Sequence, residues 1–137
     1  MPSGLAWGWR TLDDDVPFGQ PTTGPVRKKA LILMTDGFNT ISRLGNDKYH
    51  HGKQGDNATE DANKETEKLC ENIHSENILL YTIAYELPSS ADADDTKILL
   101  SDCASTPDGF FNAAGGANLN EAFEAIGKDL AEIRLVN

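Results

Sequence analysis

Asp36 is the side chain whose place in the sequence most suggests chemistry. It ends the apolar run Ala30-Leu31-Ile32-Leu33-Met34-Thr35 and opens the turn Asp36-Gly37. A strand that is apolar throughout and stops at a polar turn delivers the turn's side chain to the crevice at the carboxyl ends of a parallel sheet. A hard cation or a metal-bound phosphate sits there in α/β proteins. The alternative is a turn aspartate that bonds its own backbone. His50 and His51 offer imidazoles, but neighbours in sequence seldom converge on one ion and zinc ligands stand further apart, so an exposed loop pair is the simpler reading. Ser42, Ser75, Ser89, Ser90, Ser101 and Ser105 lie in no G-x-S-x-G elbow. There is neither a P-loop nor a G-x-G-x-x-G. Gly115-Gly116 falls between a short strand and a helix, where phosphates bind, though two glycines also make a plain turn. Trp7 and Trp9 could form an exposed aromatic site, with one of them in the core. Cys70 and Cys103 are the only cysteines, and no C-x-x-C suggests thioredoxin-like redox work.

The elements that must position these groups alternate. Leu5, Trp9 and Leu12 share a helical stripe in 4–12. Residues 13–29 are a loop broken by Pro17, Gly19, Pro21, Gly24 and Pro25. Residues 30–35 form a strand whose unbroken apolar character predicts burial on both faces. A long polar loop, 38–57, follows; loops of that length are uncommon unless functional or disordered. Residues 58–76 form an amphipathic helix with Ala58, Ala62, Thr66, Leu69 and Ile73 inward and Asn57 with Glu60 as its capping pair. A second strand spans 78–85 and closes at Glu86-Leu87-Pro88. An acidic loop, 89–95, precedes a short helix over 96–104 with Ile98, Leu99 and Leu100 inward. A third strand covers 110–113. The last helix is capped by Asn118 and carries Leu119, Phe123, Ile126, Leu130 and Ile133 on one stripe. Strand and helix in alternation mean an α/β fold with a parallel sheet, Rossmann-like in plan.

Length and charge bound the function. The chain has 137 residues, which suits one domain (1–137). Lys plus Arg number 12 against 22 Asp plus Glu, a formal net charge of −10. That balance argues against nucleic acid and against anionic lipid, both of which require a cationic face. No apolar run approaches the ~20 residues of a membrane span, and the first ten residues do not read as a signal peptide.

Ala-Leu-Ile-Leu-Met-Thr-Asp-Gly-Phe-Asn-Thr (30–40) resembles the fourth strand of a von Willebrand factor A domain, which typically ends in Thr-Asp-Gly. Asp36 matches the last protein group of that family's metal-ion-dependent adhesion site, with Thr35 and Gly37 supporting it. Gly4-Leu-Ala-Trp-Gly-Trp-Arg10, Leu33-Met-Thr-Asp-Gly37, Leu69-Cys-Glu-Asn-Ile73 with Tyr81-Thr-Ile-Ala84, and Cys103-Ala-Ser105 with Phe111-Asn-Ala113 together resemble the C-terminal part of TadG-like proteins of the Tad/Flp pilus-assembly system. The resemblance runs over nearly the whole chain.

It implies a von Willebrand factor A fold, here a truncated half with three parallel strands and flanking helices, and Met1 as an internal methionine. It implies a non-catalytic binding or assembly module of the cell envelope or periplasm, acting on a protein partner of the pilus-assembly machinery. In the full domain Mg²⁺ completes its coordination with an acidic group of that partner. The family's Asp-x-Ser-x-Ser is absent here, and its Thr would lie upstream of Met1. Asp36 is then the remnant of a three-part site, and this chain should hold no metal tightly. An oxidising envelope predicts a Cys70–Cys103 disulfide, since the helices carrying the two residues can be neighbours in a βαβ unit; the alternative is two buried free thiols. In the family order, 30–35 pairs with a first strand that this sequence lacks. The strand should therefore offer an open edge for self-association. The competing reading is a Rossmann-like hydrolase or phosphotransferase using Asp36, although no suitable Lys follows any strand.

Overall fold

The computed structural model describes residues 1–12, 28–39 and 56–135, with the side chains of 59–132 given within the last segment. Their order is α1 (Pro2–Thr11), β1 (Ala30–Thr35), α2 (Asp56–Ser75), β2 (Leu79–Tyr85), α3 (Ala91–Cys103), a single 3₁₀ turn (Pro107–Gly109), β3 (Phe110–Ala113) and α4 (Gly116–Leu135). The strands form one parallel sheet in the order β1-β2-β3. Ala30 lies beside Leu79 and Thr35 beside Ala84; Thr82 lies beside Phe110 and Tyr85 beside Ala113. This is the expected α/β, Rossmann-like arrangement of three parallel strands and flanking helices.

Period-two alternation along β2 sorts its side chains between two cores. Leu80 and Ala84 enter the larger one, with Leu33 of β1, Leu5 of α1, Cys70 and Ile73 of α2, and Leu99, Leu100 and Cys103 of α3. Tyr81 and Ile83 point the other way, against Ala113 and against Ala122 and Ile126 of α4. Both crossover helices thus cover one face, and α4 covers the β2–β3 side of the other. The β1 part of that second face is open: Ile32 is 38% and Met34 50% exposed. This corrects the expectation of a strand buried on both faces. An apolar run shows that a strand is buried in part; it does not distinguish a central strand from an edge one.

Buried threonine hydroxyls in the larger core are paired as burial requires. The Thr82 hydroxyl donates to the Leu100 carbonyl at 2.7 Å and the Thr66 hydroxyl to that of Ala62 at 2.8 Å. Ser105 closes the gap between the end of α3 and β2: the Leu80 N–H donates to its Oγ at 2.8 Å, and its own N–H donates to the Leu80 carbonyl at 2.8 Å. Cys70 and Cys103 are joined in a disulfide, Cα atoms 5.3 Å apart, which ties α2 to α3. At Gly8 an added Cβ would stand 2.8 Å from Leu31 Cδ1, so the missing side chain lets α1 lie close on β1.

Helix ends account for most departures from expectation. α3 begins at Ala91, so most of the expected acidic loop is its first turn. Ser90 caps it by accepting from the Ala93 N–H, and Asp92 and Asp94 sit where the helix dipole favours negative charge. Ile98 of α3 points outward, 61% exposed, while Ala93, Thr96 and Cys103 join Leu99 and Leu100 inside. α4 begins at Gly116, so Asn118 lies within it and is not its cap; Ala122 holds the inward place expected of Phe123, which is 44% exposed. Asn57 already lies inside α2, and Glu60 pairs with Lys64 at 2.6 Å, so these two are not a capping pair. The loop expectations for 13–27 and 40–55, with Ser42, His50 and His51, fall outside the described residues.

Candidate functional site

The carboxyl ends of the strands bring together Asp36 after β1, Tyr85 and Glu86 at the end of β2, and Ala114-Gly115 after β3. Asp36 is exposed on the turn that leaves β1. Its neighbours fix that turn. The Thr35 hydroxyl donates to the Gly37 carbonyl at 2.8 Å, and the Gly37 N–H donates back to Thr35 Oγ1 at 3.3 Å. Thr35 therefore spends its hydroxyl on the backbone two residues on, as a Ser/Thr turn does. Gly37 is not in the left-handed region, and a Cβ there would meet nothing within 4 Å.

Asn39 is the residue of this turn that sequence reasoning missed. It is 3% exposed. Its Nδ2 donates to Asn63 Oδ1 at 2.8 Å and to Thr66 Oγ1 at 3.3 Å, which anchors the chain beyond Asp36 to α2. Its Oδ1 is buried and has no hydrogen-bond partner among the described residues. The only signal in the sequence is a polar residue three places past the strand, which reads equally as loop.

At the end of β2, Glu86 takes φ 47°, a conformation rare outside glycine, asparagine and aspartate. Its N–H donates to the Ala113 carbonyl at 2.8 Å, which holds it beside β3. The Glu86 carboxylate, as a hydrogen-bond acceptor and as a negative charge, pushes the Tyr85 hydroxyl above its ordinary range, with a smaller push from burial. Gly115-Gly116 is a plain turn into α4. Neither glycine is left-handed, a Cβ at either would meet nothing within 4 Å, and the Leu119 N–H donates to the Gly115 carbonyl at 3.0 Å.

Among the described residues no group of three or more His, Cys, Asp and Glu side chains could hold a metal ion. Asp36 supplies one carboxylate, and the hydroxyl beside it is already engaged. A Mg²⁺ site of octahedral geometry needs more oxygens than this turn provides. These residues by themselves do not fit a complete divalent-cation site. Of the tryptophans, Trp7 is exposed, with Arg10 stacked 5.8 Å above its ring, while Trp9 is half-buried and its indole N–H donates to Glu76 at 2.9 Å. His74 lies apart from Asp36, at the other end of the sheet; its Nε2 is 3.0 Å from the Cys103 carbonyl, which only accepts, so Nε2 carries the proton.

No protein-family model and no curated protein sequence matches the chain. Among solved structures its fold is similar to the crystal structure of the pilus adhesin SpaC from Lactobacillus rhamnosus GG, with a TM-score of 0.64 and 16% identity. The match covers 94% of this chain and 18% of the adhesin, so the chain spans under one fifth of that protein's length. At this identity the likeness is one of fold.

Proposed function

We propose that this chain is a non-catalytic binding or assembly module of a pilus-related protein of the bacterial envelope, built on the von Willebrand factor A plan and TadG-like in kind. The observation that carries the reading is Asp36. It stands exposed on a turn braced by Thr35 and Asn39, at the carboxyl edge of a parallel sheet whose fold is also found in a pilus adhesin. A carboxylate so placed meets an incoming partner. The Cys70–Cys103 disulfide fits an oxidising compartment such as the envelope. In this reading Asp36 is one part of an adhesion site whose other ligands lie outside the described residues, and the Mg²⁺ of that family would reach full coordination only with them.

The test is a photo-crosslinking residue at Phe38, beside Asp36, in the chain exported to the envelope of a pilus-assembling bacterium. Capture of a pilus-assembly protein, lost in the Asp36→Ala background, is the expected result. Capture indifferent to Asp36, or none, overturns the reading. A metal-dependent phosphatase turnover abolished by Asp36→Asn would instead favour the Rossmann-like hydrolase or phosphotransferase.

A further inference from the structure

We infer that the edge of β1 that no strand of the described residues pairs joins the same strand of a second copy of this chain, antiparallel and centred on Ile32. The inference does not rest on the proposed function: it rests on backbone direction, exposed apolar side chains and charge along this edge.

The Leu79 N–H donates to the Lys29 carbonyl at 2.9 Å, so the odd-numbered residues of β1 turn their backbone groups toward β2. The N–H and C=O of Ala30, Ile32 and Met34 then point to the opposite side. There no strand of the described residues receives them. The side chains of the same three residues lie on the open face, where Ile32 and Met34 are the exposed apolar groups of the sheet. The segment 30–35 contains no proline and no charge, the usual devices that keep an edge from pairing.

Charge selects the occupant. Lys28 stands just before β1 and Asp36 just after it, both exposed. Antiparallel pairing about Ile32 sets Ile32 opposite its own copy, Ala30 opposite Met34, and Lys28 of each chain alongside Asp36 of the other. Ala30, Ile32 and Met34 turn their backbone groups outward, so their pairs are hydrogen-bonded ones, and opposed side chains share one face. A parallel copy in register would set Lys28 against Lys28 and Asp36 against Asp36. The edge is self-complementary, as a two-fold interface requires. The contact is small, so the association is weak and concentration-dependent.

The experiment uses the full chain with one cysteine added. In a hydrogen-bonded antiparallel pair, Cα atoms directly opposite lie ~5.5 Å apart, within disulfide reach. Ile32→Cys should give a reducible dimer on mild oxidation. Met34→Cys should not, because its own copy is displaced by four residues along the strand, roughly 14 Å. Circular dichroism confirms that both variants are folded. By sedimentation, Lys28→Asp and Asp36→Lys should each weaken self-association about tenfold. The double variant Lys28→Asp/Asp36→Lys should restore it. A wild-type chain that stays at 14.9 kDa at every concentration, equal crosslinking at 32 and 34, or charge reversals that fail to compensate would each overturn the inference.

Discussion

Two side chains carry predictions of their own. Asp36 is one carboxylate on a turn whose neighbouring hydroxyl is engaged by the Gly37 backbone. One oxygen donor does not replace the water shell of Mg²⁺. Calorimetry should therefore show Mg²⁺ and Mn²⁺ binding this chain no better than any acidic surface, and Asp36→Ala should leave the isotherm unchanged. Stoichiometric micromolar binding lost in that variant would mean that Glu86 or residues of 38–57 complete the site. Tyr81 is the second case. It is buried under α4, and its hydroxyl donates to Asp129 at 2.5 Å. Burial first, and then that bond and the Asp129 charge, push its pKa well above the ordinary 10.0. The folded chain keeps this proton where the unfolded chain loses it. The contribution of Tyr81 to stability is thus fully present below about pH 10 and is lost as pH rises beyond it. Tyr81→Phe should cost ~1 kcal/mol at neutral pH through the lost hydrogen bond and should flatten the alkaline fall. Urea midpoints across pH 7 to about 11 would read both effects. An unchanged alkaline slope would show that another group causes it.

At the scale of elements, the sequence was legible where burial dictated residue type over a whole segment and obscure where it did not. β1 and β3 fall where 30–35 and 110–113 were expected, and β2 begins one residue later than 78, because strands of Leu, Ile, Phe and Tyr bounded by polar turns have few alternatives. The first turn of α3 reads as loop, since Asp92, Asp94 and Asp95 look like a solvated run. It is helical because Ser90 caps it and the acidic groups face the positive end of the dipole. Phe123 drew the reading of α4 toward itself by size, yet Ala122 is what the close approach of α4 to the sheet admits. Asn39 could not have been picked out, because its role depends on α2 lying beside the turn. The disulfide links two elements that are distant in sequence, with a separation of 33 residues. On the chain-entropy model, closing that loop stabilises by about 4 kcal/mol. Reduction should lower the urea midpoint by that much stability, and the variant carrying Cys70→Ala with Cys103→Ala should match the reduced chain after a further small packing loss. Equal midpoints for the oxidised and reduced chains would show that the denatured state is already compact around α2 and α3.

Across the molecule, stability is distributed unevenly, because the sheet is covered by three helices on one face and by α4 on part of the other. β2 is paired on both sides and buried on both faces, from Leu80 to Ala84. Among the described residues β1 is paired on one side, and it is half-open on one face. A strand so placed opens more readily than the one beside it. Hydrogen exchange should therefore rank the strands, with β2 amides slowest. Within β1 of the dilute chain, the Leu31, Leu33 and Thr35 amides, which turn toward β2, should exchange more slowly than those of Ile32 and Met34, which turn away. Raising the protein concentration should protect Ile32 and Met34 selectively if a second copy occupies the edge, and the amides of β2 should hardly respond. The charge of −10 opposes that association over long range. Added salt should thus increase the protection at Ile32 and Met34 until the Lys28–Asp36 contacts are themselves screened. Uniform protection along β1 at all concentrations would mean that a segment of the same chain already fills the edge, and would remove the physical basis for pairing with a second copy.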